Sequence, residues 1–315
     1  MSPERVETEI DGRQLSLSNL DKVLYPATGF TKGHVLDYYA RIADTMVAHL
    51  RDRPVTFKRY PSGVDGPSFF EKHASEHRPD WLRTVEVPSQ RGEHETLEYV
   101  MVESRPALLW AANLAALEFH VPLWHVTRAR PLPRPPDFMV FDLDPGPGTT
   151  IVECCHVARW IAAALGDRQM WAKTSGSKGL QLYSPVGRLS WARAGEEAHE
   201  LARMLERDHP EHVVSRMRKD LRSGKVLIDW SQNSPAKTTV AAYSLRARSE
   251  PTVSTPVTWD EIDACSNAAD PQLLHFEADD VLRRVERSGD LLADLVTPPL
   301  RGAEHGARTK GHPLK

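Results

Sequence analysis

With 315 residues, 40% of them hydrophobic and 26% charged, the chain can bury a full core and suffices for one large or two closely joined domains. No apolar run reaches the length of a bilayer span. The polar, acidic start from Met1 to Gln14 has no secretory h-region, and Cys154, Cys155 and Cys265 form neither a C-x-x-C pair nor an even framework. These features exclude a helical membrane span and a disulfide-stapled scaffold, and they point to a reduced cytoplasm with structural thiols.

The formal net charge of −3 does not favour a nucleic-acid binder, but its distribution is uneven. Eight basic residues between Arg216 and Arg248 stand against Asp220 and Asp229, whereas Asp260 to Asp294 carries ten acidic residues and three arginines. Screening limits exposed charge to a reach of about 8–10 Å, so a local basic face can hold phosphates whatever the sum.

In chain order, Thr31 to Leu50 shows helical periodicity through Val35, Tyr38, Tyr39, Ile42 and Met46. Pro54 to Tyr60 reads as a strand. A turn at Gly63–Pro67 precedes Phe69 and Phe70, adjacent aromatics that on a strand point to opposite faces, one for the core and one for base stacking. Thr96 to Val102 is a further strand, and Pro106 to Leu117 a second helix followed by His120. His73 and His77 lie one helical turn apart without a third ligand, which argues against zinc. The Pro-rich stretch Arg130–Pro136 is an extended connector into a strand at Asp137–Asp144. Thr150 and Glu153 form the capping-box signature of a helix running to about Leu165. Strands at Met170–Thr174 and Leu180–Ser184 flank the loop Ser175-Gly176-Ser177-Lys178-Gly179. A helix from Trp191 to Arg207 and a strand from Lys225 to Trp230 complete the series. This β-α-β-β-α-β order is the split βαβ arrangement of ferredoxin-like and RNA-recognition-motif folds, so the fold class is α/β. From Arg301 the tail is basic, contains glycine and is expected to be mobile.

Asp142 and Asp144 close the apolar run Phe138–Phe141, and side chains two apart on a strand project from one face. Two carboxylates held that close repel each other and resist desolvation unless a cation lies between them, and hard oxygen ligands suit Mg²⁺ or Mn²⁺. By itself a D-x-D at a strand end is as well explained by a solvated turn. Asp229 ends the run Val226–Ile228, and in this strand order the first and last strands can be neighbours. Alone, Asp229 reads as a strand-end cap; beside the pair it completes the three acidic ligands that two-metal phosphoryl transfer needs. In the loop Thr174–Gly179 two glycines permit φ > 0. Consecutive amides can then converge on an anion, with Ser175, Ser177 and Lys178 as added donors, although a plain hairpin turn explains the loop equally well.

Assembled, these residues resemble the polymerase domain of bacterial DNA ligase D, within the archaeo-eukaryotic primase superfamily, from about Asn19 to Leu300. The likeness is carried by Leu20-Asp21-Lys22-Val23-Leu24-Tyr25-Pro26, Arg53-Pro54-Val55-Thr56, Phe69-Phe70-Glu71-Lys72, the run from Ala111 to His120, Phe141-Asp142-Leu143-Asp144-Pro145, Ser175-Gly176-Ser177-Lys178-Gly179-Leu180, and Asp229-Trp230-Ser231-Gln232-Asn233. It implies a primase-polymerase fold over residues 1–300, with an N-terminal α/β module (1–136) packed against an RRM-like catalytic module (137–300). It further implies Asp142, Asp144 and Asp229 as ligands of two Mn²⁺ or Mg²⁺ ions. His120, Ser175, Ser177, Lys178, Arg222, Gln232 and Arg246 fall at the nucleotide site. Lys22 and Lys32 match a pair that grips a downstream 5′-phosphate, with Lys58, Phe69 and Phe70 near that end.

The implied activity is template-dependent addition of nucleotides, ribonucleotides included, to a primer 3′-hydroxyl at gaps or broken ends in DNA repair. A dedicated primase and a non-catalytic end-binding scaffold are the alternatives. Implied partners are gapped or broken DNA bearing a 5′-phosphate, nucleoside triphosphates, Ku and a separate DNA ligase, for a monomer in the nucleoid-associated cytoplasm. A stand-alone form is expected, since no ligase or nuclease module follows.

Overall fold

Two six-stranded sheets organise the computed structural model, which describes residues 5–88, 96–127, 132–187 and 189–296. The start of the Pro-rich connector and the basic tail from Arg301 lie outside these residues. Among the described residues no helix is long and apolar enough to cross a membrane.

The first layer opens with a hairpin of β1 (Arg5–Ile10) and β2 (Arg13–Ser18), then β3 (Val23–Tyr25) paired with β4 (Phe30–Thr31). Helix α1 (Lys32–Leu50) starts at Thr31, whose hydroxyl accepts from the His34 amide while the His34 ring accepts from the Thr31 amide. The apolar stripe Val35, Tyr38, Tyr39, Ile42 and Met46 is buried, as its 3.6-residue period requires. β5 (Pro54–Arg59) is central to the first sheet. It pairs with the edge strand β6 (Phe69–Glu71) and with β8 (Thr96–Met101), which β7 (Thr84–Pro88) flanks.

Helix α2 (Arg105–Asn113) is shorter than expected, and the residues to its C-terminal side form β9 (Ala116–Val121), also paired with β5. Leu and Ala favour helix, so composition carries the helix on to Leu117. Ala115 instead adopts φ 58°, a left-handed turn that helix cannot continue through, and the buried sheet position of β9 decides the rest. His120 therefore sits on a strand rather than behind a helix.

The second layer is β10 (Phe138–Pro145), α3 (Ile151–Leu165), β11 (Trp171–Thr174), β12 (Leu180–Pro185), α4 (Trp191–Asp208), the short β13 (Val213–Val214) and β14 (Val226–Asp229). The Thr150 and Glu153 capping box opens α3. Spatial order β14-β10-β12-β11 is fourth, first, third, second, all antiparallel, which is the split βαβ topology. Met139, Phe141 and Leu143 of β10 pack beneath α3 and α4 with Cys154, Ala198 and Leu205. Because strand side chains alternate, Asp142 and Asp144 are left on the opposite face.

The chain then crosses between layers. β15 (Thr239–Val240) joins the first sheet beside β9, β16 (Pro256–Val257) returns to β11, α5 (Trp259–Ala268) packs on α3, and α6 (Ala278–Ser288) packs on α1. Ala241, Tyr243, Leu245 and Val281 belong to the core built by α1 and α2, so the expected division at residue 136 does not separate the two cores. Three tyrosine hydroxyls from the N-terminal side hold the segment that crosses between the layers: Tyr38 donates to the Tyr243 carbonyl (2.8 Å), Tyr25 donates to that of Arg246 (3.1 Å), and Tyr39 accepts from the Leu245 amide (3.0 Å).

Candidate active site

A row of polar side chains crosses the second sheet. Asp229 is the register partner of Asp142, Asp142 of Gln181, and Gln181 of Lys173. Facing residues on adjacent strands share a face, so two carboxylates, an amide and an ammonium line up there, with Asp144 on the same face of β10. Gln181 Nε2 donates to Asp142 Oδ1 at 3.1 Å, and Lys173 Nζ donates to Gln181 Oε1 and Ser254 Oγ, each at 2.6 Å. Asp229 is fixed by the turn that follows it. Its Oδ1 accepts from the Ser231 amide (3.0 Å) and hydroxyl (2.6 Å), and its Oδ2 from Gln232 Nε2 (3.1 Å).

Burial and then the Asp144 charge push the Asp142 carboxyl up, against the Gln181 hydrogen bond. Asp144 is also pushed up, by burial and Asp229, with Arg222 and Arg246 opposing. Burial pulls the Lys173 ammonium down to about 7 although Asp142 favours its charge. Desolvated carboxylates facing one another across strands form a set of hard oxygen donors with too little positive charge of its own, and that fits Mg²⁺ or Mn²⁺. The three aspartates are not drawn into a tight knot. Among the described residues, the trio of ligating atoms all within 4.8 Å of one another is Glu250, His275 and Glu277. That trio is already engaged, since Glu250 pairs with His275 at 3.3 Å and Glu277 caps α6.

The loop Ser175–Gly179 lies against this face. Gly176 has φ +65°, and a Cβ on Gly179 would stand 2.1 Å from the Leu143 carbonyl, so only glycine lets the loop rest on the strand that carries the aspartates. The loop does not present the expected cradle of free amides. The Ser177 and Gly179 amides donate to Ser175 Oγ at 3.3 and 3.1 Å, and the Ser175 amide donates to the Gly179 carbonyl at 2.9 Å. Lys178 is exposed, and Ser177 Oγ accepts from Arg248.

Arg246 joins this loop to the first sheet. Its guanidinium donates to the Ser175 carbonyl and lies 3.4 Å from Glu118 Oε1. Glu118 also accepts from the Ala247 amide (3.1 Å) and bonds His120 Nε2 at 2.9 Å. Burial alone would raise the Glu118 carboxyl, but the His120 hydrogen bond and the Arg246 charge bring it down to about 2. Burial lowers His120, with Glu118 opposing. Arg222 donates to the Met217 carbonyl at 2.6 Å and stabilises the Asp144 charge. Arg222 Nε, Gln232 Oε1 and Arg246 Nε are buried without a hydrogen-bond partner; they are half of the six such side-chain atoms among the described residues. Arg246 Nε still faces Glu118 Oε1 at 3.4 Å, whereas Arg222 Nε and Gln232 Oε1 are left unpaired on the side chains beside Asp144 and Asp229, an uncommon state for buried polar atoms.

A second group lies at the rim. Lys32 is only 5% exposed, and its ammonium donates to the Ser18 carbonyl at 2.5 Å. Burial and the neighbouring Lys22 charge pull it down to about 8, so this pair of cations favours an anion between them. Phe69 and Phe70 are both exposed, at 47% and 58%, whereas one of them was expected in the core. The alternation holds, but β6 is an edge strand whose two faces are both open: Arg59 covers the Phe69 ring and Lys58 the Phe70 ring, at 5.2 and 5.5 Å. Phe70 also meets the His120 ring at 5.7 Å, which connects the rim to the loop and Arg246.

Glu118, Lys173, Gln181 and Arg248 were not singled out from the sequence. A polar residue inside an apolar strand run, as in Leu180-Gln181-Leu182, is the available signal, but its partners depend on strand register, which the linear order does not give.

The chain matches the family model described as "LigD, primase-polymerase domain" over residues 31–292. It is 46% identical over 285 residues to the multifunctional non-homologous end joining protein LigD of Mycolicibacterium smegmatis, covering 90% of this chain and 36% of that protein. The Mycobacterium tuberculosis H37Rv counterpart is 45% identical over 291 residues, covering 90% and 37%. The chain thus spans little more than a third of these relatives' length. Among solved structures, the polymerase domain of Mycobacterium tuberculosis ligase D in complex with DNA superposes with a TM-score of 0.82 at 45% identity, over 90% of this chain and 98% of that one.

Proposed function

This chain belongs to the LigD primase-polymerase family, and from that premise we propose that it is a template-dependent polymerase that adds nucleotides to a primer 3′-hydroxyl at gaps or broken ends in DNA. The observation that carries the reading is the face-sharing set Asp142, Asp144 and Asp229, beside a loop and arginines suited to phosphate. Bound Mn²⁺ or Mg²⁺ would neutralise triphosphate charge and make the 3′-hydroxyl a better nucleophile. Asp142 and Asp144 would hold both ions, and Asp229, across the strand pair, the ion nearer the primer.

The chain's own residues do the rest. Lys178 and Arg246 carry positive charge where pyrophosphate would leave, and Ser175 shapes the loop that orients them. Glu118 holds Arg246 and His120 in place at the nucleotide side. Arg222, which favours the Asp144 charge, and Gln232, which holds Asp229, would line the nucleotide side. Lys22 and Lys32 take the 5′-phosphate of the downstream strand, with Phe69, Phe70 and Lys58 stacking on and pairing with the DNA end. The DNA bound by the Mycobacterium tuberculosis domain supports DNA as the macromolecular partner. Ku and a DNA ligase, in a bacterial cytoplasm, are the partners that the relatives' end-joining role suggests.

The test is primer extension on gapped duplex, with and without a downstream 5′-phosphate, comparing ribo- and deoxynucleotides under Mn²⁺ and Mg²⁺. Stimulation by the 5′-phosphate and loss of extension in Asp142→Ala, with end binding kept, is the expected result. Extension that survives Asp142→Ala overturns the assignment.

A further inference from the structure

The cross-sheet row ends on a cation that the proposed chemistry does not use. Lys173 is fully buried and its ammonium pairs with no carboxylate among the described residues; it donates to the carbonyl oxygen of the Gln181 amide at 2.6 Å and to Ser254 Oγ at 2.6 Å. Ser254 Oγ in turn donates to the Thr174 carbonyl at 2.8 Å, so the lysine head is anchored to the base of the loop. Tyr183, two residues along β12 on the same face, donates its hydroxyl to the same Gln181 oxygen at 3.2 Å. Two donors thus converge on Gln181 Oε1, which leaves the amide a single orientation: Nε2 directed at Asp142 Oδ1. Among the described residues Gln181 is the one hydrogen-bond partner of the Asp142 carboxylate.

A primary amide has a donor end and an acceptor end of nearly equal size, and rotation by 180° exchanges them. With its oxygen turned toward Asp142, Gln181 would repel the carboxylate instead of holding it. We propose that Lys173 is a positioning residue: acting through Gln181, it fixes the rotamer of Asp142 and so sets the oxygen that this aspartate presents to divalent cations. The inference rests on the metal role of Asp142 given above. It differs from a simple charge effect in sign. A cation beside a metal site repels the ion, so deleting it for charge reasons alone tightens metal binding, whereas deleting an orienting donor weakens it.

The experiment is direct titration with Mn²⁺ alone, followed by loss of the free-ion paramagnetic resonance signal, on the full chain without nucleotide or DNA. Gln181→Leu is expected to weaken Mn²⁺ binding by about tenfold and Lys173→Met by a similar factor. The double variant is expected to be no weaker than Gln181→Leu, because the lysine acts only through the amide. Tighter or unchanged binding in Lys173→Met, or additive losses in the double variant, overturns the proposal.

Should Lys173→Met fail to fold by circular dichroism, Tyr183→Phe removes the other donor. It is expected to weaken Mn²⁺ binding in the wild-type background and to have no effect in Gln181→Leu, and any other pattern overturns the proposal. Asp142→Asn separates the two levels. Mn²⁺ binding that ignores Asp142 defeats the metal reading, while binding that needs Asp142 but ignores Lys173 and Tyr183 defeats the positioning role alone.

Discussion

The aspartate face and the aromatic rim are built from opposite materials. Asp142 and Asp229 sit in mid-sheet, pinned by register, by Gln181 and by the Ser231–Gln232 turn. Phe69 and Phe70 stand on an edge strand with both faces open, met mainly by the cations of Arg59 and Lys58. A reacting centre tolerates little displacement, so its groups are mounted where backbone pairing fixes them. A surface that receives a flexible polymer end gains from exposed rings and mobile charges. The first region therefore gathers buried like charges in mid-sheet, whereas the aromatic pair gathers none and the stress at the rim is confined to Lys32 beside Lys22. That difference is measurable.

The largest effect is expected at Asp142. Asp142→Ala should lower nucleotide addition on the order of 10³-fold or more, several kcal/mol of transition-state stabilisation. It should also raise the melting temperature of the metal-free protein, because it removes a buried carboxylate that Asp144 and Asp229 repel. A variant that loses both activity and melting temperature would contradict the stressed-face description. Primer extension and a thermal melt in chelator decide it.

Glu118→Gln comes next, at the joint between the two regions. The carboxyl titrates near 4.5 when unfolded and at about 2 in the fold, so the stability it contributes is complete above about pH 4.5 and is lost as pH falls toward 2. The contribution is on the order of 3 kcal/mol. The variant should be less stable by that order at pH 7 and show a flatter stability profile between pH 4.5 and 2. Urea denaturation at stepped pH checks both, and a parallel profile in wild type and variant would refute the sign.

Phe70→Ala should leave the melting temperature unchanged, since the ring is exposed, while weakening binding to a gapped duplex by about 1–3 kcal/mol. A fall in melting temperature would show that the rim is structural after all. The smallest effect is expected at Lys22. Lys22→Ala should lower the slope of log K against log salt by about 1 on DNA with a 5′-phosphate and leave it unchanged on DNA without one, as read by fluorescence anisotropy.

Elements with a strong local signal were legible in the sequence. The Asp142 and Asp144 spacing, the Thr150 and Glu153 cap and the stripe of α1 each follow from neighbours a few residues apart. The end of α2 was not, because Ala115 in a left-handed turn is a choice made by the sheet that needs β9 rather than by the local residues. The exposure of both Phe69 and Phe70 was hidden for a related reason: period two says that they part, and only the sheet order says that neither side is covered. Lys173, Gln181 and Asp229 share a row with Asp142 across separations of 31 to 87 residues, a relation fixed by register alone. The loop told half its story, since its glycines announced a turn but not that Ser175 would occupy the amides itself.

The weaving of β15, β16 and α6 back and forth bears on how such a protein can be taken apart. A fragment ending at Pro136 would leave β9 a raw edge and strip the flank of α1 that α6 covers. The complementary piece would carry its aspartates away from Glu118 and His120. Neither portion is a transplantable cassette, and a graft that moves this chemistry to another scaffold has to carry the whole stretch from the first helix to the last.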